Sequence, residues 1–267
     1  MGKKERMKAL VYLGLFFGLA IFSTACKKEF ATPEASFHAG FAASETALED
    51  ALNISRTFFS SGKMPFSTLN CPVRIDTLED GRIELTFADS CKAGDNRFRS
   101  GRLLLLPLNG MERQVDLLNY SIFTDSSFAL NGSLYYSVDQ RLSPFLKINA
   151  RAGFHVYHWN NQKELFVASV QYQRETTSGA ATPDVKDDVL SKTGSGSYVL
   201  PGEVRWNMNY ASSATKRLTI GCIDFLTGQA VFSNGKASSF LFDWGGGTCD
   251  NRYSVTISET TTIHNIP

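Results

Sequence analysis

The chain reads as all-β, with antiparallel sheets (sandwich-like or an extended twisted sheet) and one N-terminal amphipathic helix. Three observations carry that reading. Arg82-Ile83-Glu84-Leu85-Thr86-Phe87 alternates strictly, which places Ile83, Leu85 and Phe87 on one face of a half-buried strand. Asn234-Gly235 lies between two strand candidates, Gln229–Phe232 and Ser238–Trp244, and both turn residues tolerate the positive φ of a tight hairpin. Helical periodicity occurs only once. From Phe41 to Phe59, Leu48, Ala51, Leu52 and Phe59 recur at helical spacing with Glu45, Glu49, Asp50 and Arg56 between them, the pattern of one amphipathic helix.

The elements follow in order from the N-terminus. Lys3, Lys4, Arg6 and Lys8 precede an apolar run, Ala9–Phe22, and Ser23-Thr24-Ala25 leads to Cys26. A basic start, a short apolar stretch and small residues before a cut site describe a secretory signal. The run is shorter than the roughly 20 residues that span a bilayer. The cysteine after the small residues resembles the lipobox of bacterial lipoproteins, with Ser23 where most carry Leu. That resemblance implies lipidation at Cys26 and a membrane attachment through the N-terminal lipid. The expected organisation is a signal over 1–25, a tether over 26–40, a helix plus first β module over 41–175, a loop over 176–202 and a second β module over 203–267. The two modules either stand apart or share one domain. Residues 176–202 owe their loop reading to Ser, Thr, Gly and Pro.

Composition narrows the partners. Of 27 basic and 26 acidic residues, the signal holds four and one, so the mature part is slightly acidic. No basic stripe appears, which argues against nucleic acid. Twenty Phe residues supply an ample core, and Leu103–Leu108 reads as a buried strand. With Cys26 assigned to the lipid, Cys71, Cys91, Cys222 and Cys249 remain, and four cysteines allow three connectivities. Local pairs, Cys71 with Cys91 and Cys222 with Cys249, would each stabilise the fold by roughly 3–4 kcal/mol and suit an oxidising compartment. Four free buried thiols are the alternative.

A faint repeat supports local pairing. Cys71, a hairpin ending at Phe87, Asp89, Cys91 and Asp95-Asn96-Arg97-Phe98 correspond to Cys222, a hairpin ending at Phe242, Asp243, Cys249 and Asp250-Asn251-Arg252-Tyr253. Each Asp-Asn-Arg-aromatic leads into a further strand candidate. These residues, with Arg99-Ser-Gly101-Arg-Leu and the closing Phe242-Asp243-Trp-Gly-Gly-Gly247-Thr-Cys249-Asp250-Asn251, resemble a group of cell-envelope lipoproteins from Bacteroidota. Trp159, Asp187-Asp188 and Thr193-Gly194 extend the resemblance, which runs from about residue 65 to 260. It implies an envelope address, with the outer membrane favoured and the periplasmic or surface side open. It brings no activity with it.

Chemistry-bearing patterns are few. No G-x-S-x-G or H-E-x-x-H occurs; Gly194-Ser195-Gly196-Ser197 falls in the loop. His155 and His158 point to opposite faces of a strand, while His38 sits in the tether and His264 in the tail. Asp187-Asp188 and Glu79-Asp80 read as turns rather than paired catalytic carboxylates. Asp243, Asp250 and Asn251 are weak metal candidates, because the spacing is not that of a calcium loop; three glycines beside them serve a sharp turn equally well. If Asn160–Lys163 closes a hairpin, Trp159 faces Glu164, Tyr157 faces Phe166 and His155 faces Ala168. One face would then offer His155, Tyr157, Trp159, Phe166 and Tyr172 as a candidate ligand-stacking strip for a sugar ring or a partner protein, or else simply pack. No catalytic residue and no cofactor are expected. The expected function is a non-catalytic binding or structural protein of the envelope, taking a glycan or an envelope protein. The alternative is a hydrolase acting on envelope polysaccharide.

Overall fold

The computed structural model describes residues 35–66, 71–94, 97–108, 110–122, 128–139, 147–178, 189–217, 227–235, 238–246 and 252–265, without the side chains of 89–91, 139 and 212–217. Two compact units divide the chain, Met1–Thr32 and Pro33–Pro267, and all described residues belong to the second. It holds one helix, α1 (Ala35–Ser61), then β1 (Val73–Thr77), β2 (Ile83–Lys92), β3 (Phe98–Pro107), β4 (Glu112–Ser121), β5 (Phe128–Asp139), β6 (Lys147–His158) and β7 (Glu164–Ser178). There follow β8 (Val189–Leu200), β9 (Val204–Arg217), β10 (Thr227–Ser233), β11 (Ser239–Gly246), β12 (Arg252–Ile257) and β13 (Thr260–Asn265). The fold is all-β with a single helix, as expected. All thirteen strands form one sheet in sequence order, and the pairing is antiparallel throughout. Where a sandwich was one expectation, a single curled sheet is found.

Alternation explains the strands. On β6, Ile148, Ala150, Ala152, Phe154 and Val156 point inward and the residues between them outward. The expected strand at Arg82–Phe87 is β2, with Leu85 and Phe87 in the core. The hairpin at Asn234-Gly235 joins β10 to β11, with Phe232 opposite Phe240. Register shifts interrupt several pairings, including β3 with β4 between Ser100 and Arg102. Such bulges bend a strand and raise its twist, which lets a long sheet close on what lies inside it.

What lies inside is α1. It begins at Ala35, six residues before the expected start, and Phe37, His38 and Gly40 are already buried. Between Phe37 and Ser55 almost every side chain is buried, on all sides of the helix. Alanines at 42, 43, 47 and 51 keep it slender, so strands approach from every direction. Near its N-terminus, Phe41 packs edge-on against Tyr198, Phe232 and Phe242, with centroids 4.9–5.6 Å away. Full burial of one such ring contributes roughly 1.5–3 kcal/mol.

The amphipathic reading of this helix needs correction. Glu45, Glu49 and Asp50 form no solvated face; all three are at most 2% exposed. Strands supply their partners. Asp50 accepts two hydrogen bonds from Arg99 (2.7 and 2.8 Å), one from Arg97 (3.0 Å) and one from the Tyr120 hydroxyl (2.5 Å). Glu49 accepts from Arg174 at 3.2 Å, and Glu45 accepts from Lys192 and Tyr210 at 2.6 Å each. Carboxylates facing water would need no such company. Buried ones are tolerated only when paired and hydrogen-bonded.

His38 adds a pH dependence. Its ring lies 5.0 Å from Phe240 and 6.4 Å from His264 of β13. Burial first, and the His264 charge second, pull its pKa down to about 4. Above about pH 6.5 the residue is neutral folded or unfolded and contributes no slope. As pH falls below that, the unfolded chain takes up the proton first, so stability is lost until about pH 4. The shift corresponds to about 3 kcal/mol. Urea titrations at pH 7 and pH 4 should show that loss, and His38→Leu should make it smaller by this amount. Equal losses in the two proteins would refute the assignment.

Candidate ligand-binding face

The outward side of the sheet gathers polar side chains in register. Gln114, Tyr135, Arg151, Gln171 and Ser195 form one row across β4 to β8. Ser137, Asn149, Gln173 and Thr193 form the next, across β5 to β8. Between these side chains, Gln114 apart, runs a groove of about 690 Å³, bordered also by Glu112 and Arg113 and by the buried Tyr136, Ala150 and Tyr172. The Arg151 guanidinium lies 5.1 Å from the centre of the Tyr135 ring. Gln173 donates to the Asn149 side-chain carbonyl at 2.9 Å. The Tyr135 ring, the Arg151 guanidinium, three amides (Asn149, Gln171 and Gln173) and three hydroxyls (Ser137, Thr193 and Ser195) thus converge on one concavity, a combination that stacks an apolar face and hydrogen-bonds its polar rim.

The expected strip continues this face along β6 and into the turn that follows it. His155, Tyr157 and Trp159 share the parity of Asn149 and Arg151, and all three retain exposure. His155 and Tyr157 stack with centroids 6.0 Å apart and planes at 12°. His155 Nδ1 sits 2.7 Å from the Glu164 carboxylate. Tyr157 has its pKa raised, by burial and then by Glu164. Phe166 does not join them. It pairs with Val156, not Tyr157, because a bulge shifts the register between Val156 and Tyr157. One residue of slip sends a side chain to the other face. Phe166 is therefore fully buried, 5.2 Å from Phe37 and 5.5 Å from Tyr198. Tyr172 is likewise buried, with the Lys192 ammonium 3.7 Å over its ring.

Asp243 lies on β11 with both carboxylate oxygens engaged. One accepts from the Gly245 amide at 2.8 Å and the other from Gln229 at 2.7 Å. The bonds tie the strand end into its turn, while Asp250 and Asn251 lie outside the described residues. Among the described residues no three His, Cys, Asp or Glu side chains stand together as a metal site. Glu79 and Asp80 occupy the β1–β2 turn, where Asp80 binds the Arg82 amide and guanidinium; Asp187-Asp188 lie outside the described residues. His158 packs on Phe128. Cys71 is fully buried and disulfide-bonded. The side chains of Cys26, Cys91, Cys222 and Cys249 lie outside the described residues.

Tyr135, Arg151, Gln171 and Gln173 went unrecognised in the sequence. Their only signal was polar residues at every second position, as in Gln171-Tyr172-Gln173, and nothing there says that four strands align them. Among the described residues no helix is long and apolar enough to cross a membrane. Comparison with protein-family models, with curated proteins and with solved structures finds no match.

Proposed function

We propose that the chain is a lipid-anchored cell-envelope protein that binds carbohydrate, without catalysis, on the outward face of β5 to β8. The groove beside Tyr135 and Arg151 carries this reading. Sugars combine an apolar ring face with a hydroxyl rim, which an aromatic ring flanked by a guanidinium, amides and hydroxyls complements. The envelope address rests on the signal-like start and Cys26. Tethering by lipid would leave the face free to meet glycan.

The test is direct. Titration with chito-oligosaccharides and xylo-oligosaccharides, with an array of bacterial envelope glycans beside it, should find a carbohydrate that binds. Tyr135→Ala and Arg151→Ala should each weaken it at least tenfold. Their melting midpoints should hardly move, since surface substitutions usually change stability within about 0.5 kcal/mol. Cys26→Ser should release the protein from membranes. Failure of every glycan, or binding that survives both substitutions, would defeat the carbohydrate reading, and membrane retention of Cys26→Ser would defeat the anchor.

A further inference from the structure

The charges around the groove bear on which sugar suits it. Among the described residues that line it, Glu112, Arg113 and Arg151 are charged, two guanidiniums against one carboxylate. Glu112 and Arg113 are chain neighbours at the start of β4 and offset each other. Arg113 is further held there by the backbone carbonyls of Gly110 and Glu112, to which it donates at 2.9 and 2.7 Å. Arg151 stands apart, exposed in the middle of β6. It touches the Tyr135 ring and has no hydrogen-bond or ion-pair partner among the described residues. Asp116, on the neighbouring row, accepts from Gln114 and Ser133 at 2.8 and 2.7 Å. Its backbone lies two strands from that of Arg151, roughly 10 Å by strand spacing. On the far side, Lys147 and Glu175 face each other across β6 and β7 and cancel.

We propose that the groove takes an acidic sugar, a pyranose ring bearing a carboxylate, and that Arg151 selects it. The inference rests on the carbohydrate reading and narrows it to uronate-containing polysaccharides.

Geometry favours a ring and its carboxylate together. The guanidinium lies 5.1 Å from the centre of the Tyr135 ring, so a sugar stacked on that ring brings an exocyclic carboxylate within reach of the fork. Two parallel N–H donors of a guanidinium match the two oxygens of a carboxylate. Gln171 faces Arg151 from β7, and its amide has no hydrogen-bond partner among the described residues, which leaves it for ring hydroxyls. Gly153 is the next outward position on β6, opposite Ser133 and Ser169. A Cβ added there would meet nothing within 4 Å, so room is left beside the guanidinium for the group it would hold. A neutral sugar would use Tyr135 and the amides but leave the guanidinium to water.

Calorimetric titration of the full chain tests this with oligogalacturonate, oligoguluronate and hyaluronate oligosaccharides, each beside its carboxyl-reduced, neutral counterpart. At least one uronate should bind at least tenfold tighter than its counterpart. Added salt should weaken that uronate and spare the counterpart, because ions screen charge interactions at an exposed site. Arg151→Gln should bring the two within about twofold of each other, whereas Tyr135→Ala should weaken both alike and keep their ratio. Neutral oligosaccharides that bind as tightly as the uronates would overturn selection by charge and leave the carbohydrate reading standing. A preference that survives Arg151→Gln, or one indifferent to salt, would overturn the role given to Arg151. Binding of no oligosaccharide, charged or neutral, would defeat the carbohydrate reading and this inference with it.

Discussion

Asp50→Asn should be among the most destabilising single substitutions in this protein, at about 3–5 kcal/mol. The substitution keeps size and shape while removing the charge that answers two guanidiniums. Arg99 is 1% exposed and Arg97 9%, so neither can turn to water when its partner is lost. Burial raises the pKa of Asp50, but the charge and hydrogen bonds of Arg99, then Arg97 and Tyr120, more than reverse it and hold the carboxyl well below the usual range. Stability from this group is present above about pH 4 and is lost as pH falls through the acid range, because the unfolded chain takes up the proton first. Urea denaturation at pH 7 should therefore show a large drop for Asp50→Asn, together with a flatter acid limb. The double variant Asp50→Asn, Arg99→Met should regain part of the loss, since it no longer buries that guanidinium charge without the Asp50 carboxylate. A loss under 1 kcal/mol, or a double variant worse than the sum of its parts, would show that the buried pair does not hold the helix in the sheet.

That carboxylate also marks where sequence reasoning stops. Alternation places the strands, and the turns at Asn160–Lys163 and Asn234-Gly235 appear where hairpin chemistry puts them. Period and turn residues are local, so they survive reading one segment at a time. The helix was legible as a helix, yet its charged stripe was assigned to solvent. A polar stripe and a buried ionic one look identical until the cations are found, and these lie 49, 125 and 147 residues away, at Arg99, Arg174 and Lys192. The early start at Ala35 was hidden for the same reason, because Phe37 and Gly40 gain meaning only from the strands around them. Of the five residues of the aromatic strip, His155, Tyr157 and Trp159 retain exposure, while Phe166 and Tyr172 are buried. Phe166 was lost to a single bulge, which loop length alone does not reveal. The groove beside Tyr135 depends on register across four strands and was out of reach.

Gly101→Ala should be the other severe substitution, and it tests how the sheet bends. Gly101 sits at the register break between β3 and β4 with φ +84°. An added Cβ would lie 2.1 Å from the Asn119 carbonyl oxygen and 2.8 Å from that of Leu118. Both are backbone atoms, so no side chain can swing aside. The strained φ costs about 1–3 kcal/mol, and forcing atoms into packed space costs about 1–3 more. The neighbouring strand must move, and with it Arg99 two residues away, so the Asp50 pairing should loosen as well. Gly235 is the control. Its φ is +70°, but an added Cβ meets nothing within 4 Å, so Gly235→Ala pays for the conformation alone and should cost only about 1–3 kcal/mol. Thermal unfolding of both variants separates strain from collision. A Gly101→Ala protein that melts no lower than Gly235→Ala would mean that β3 can bend without the close approach to Asn119, and the bulge would then no longer explain the curl of the sheet around its helix.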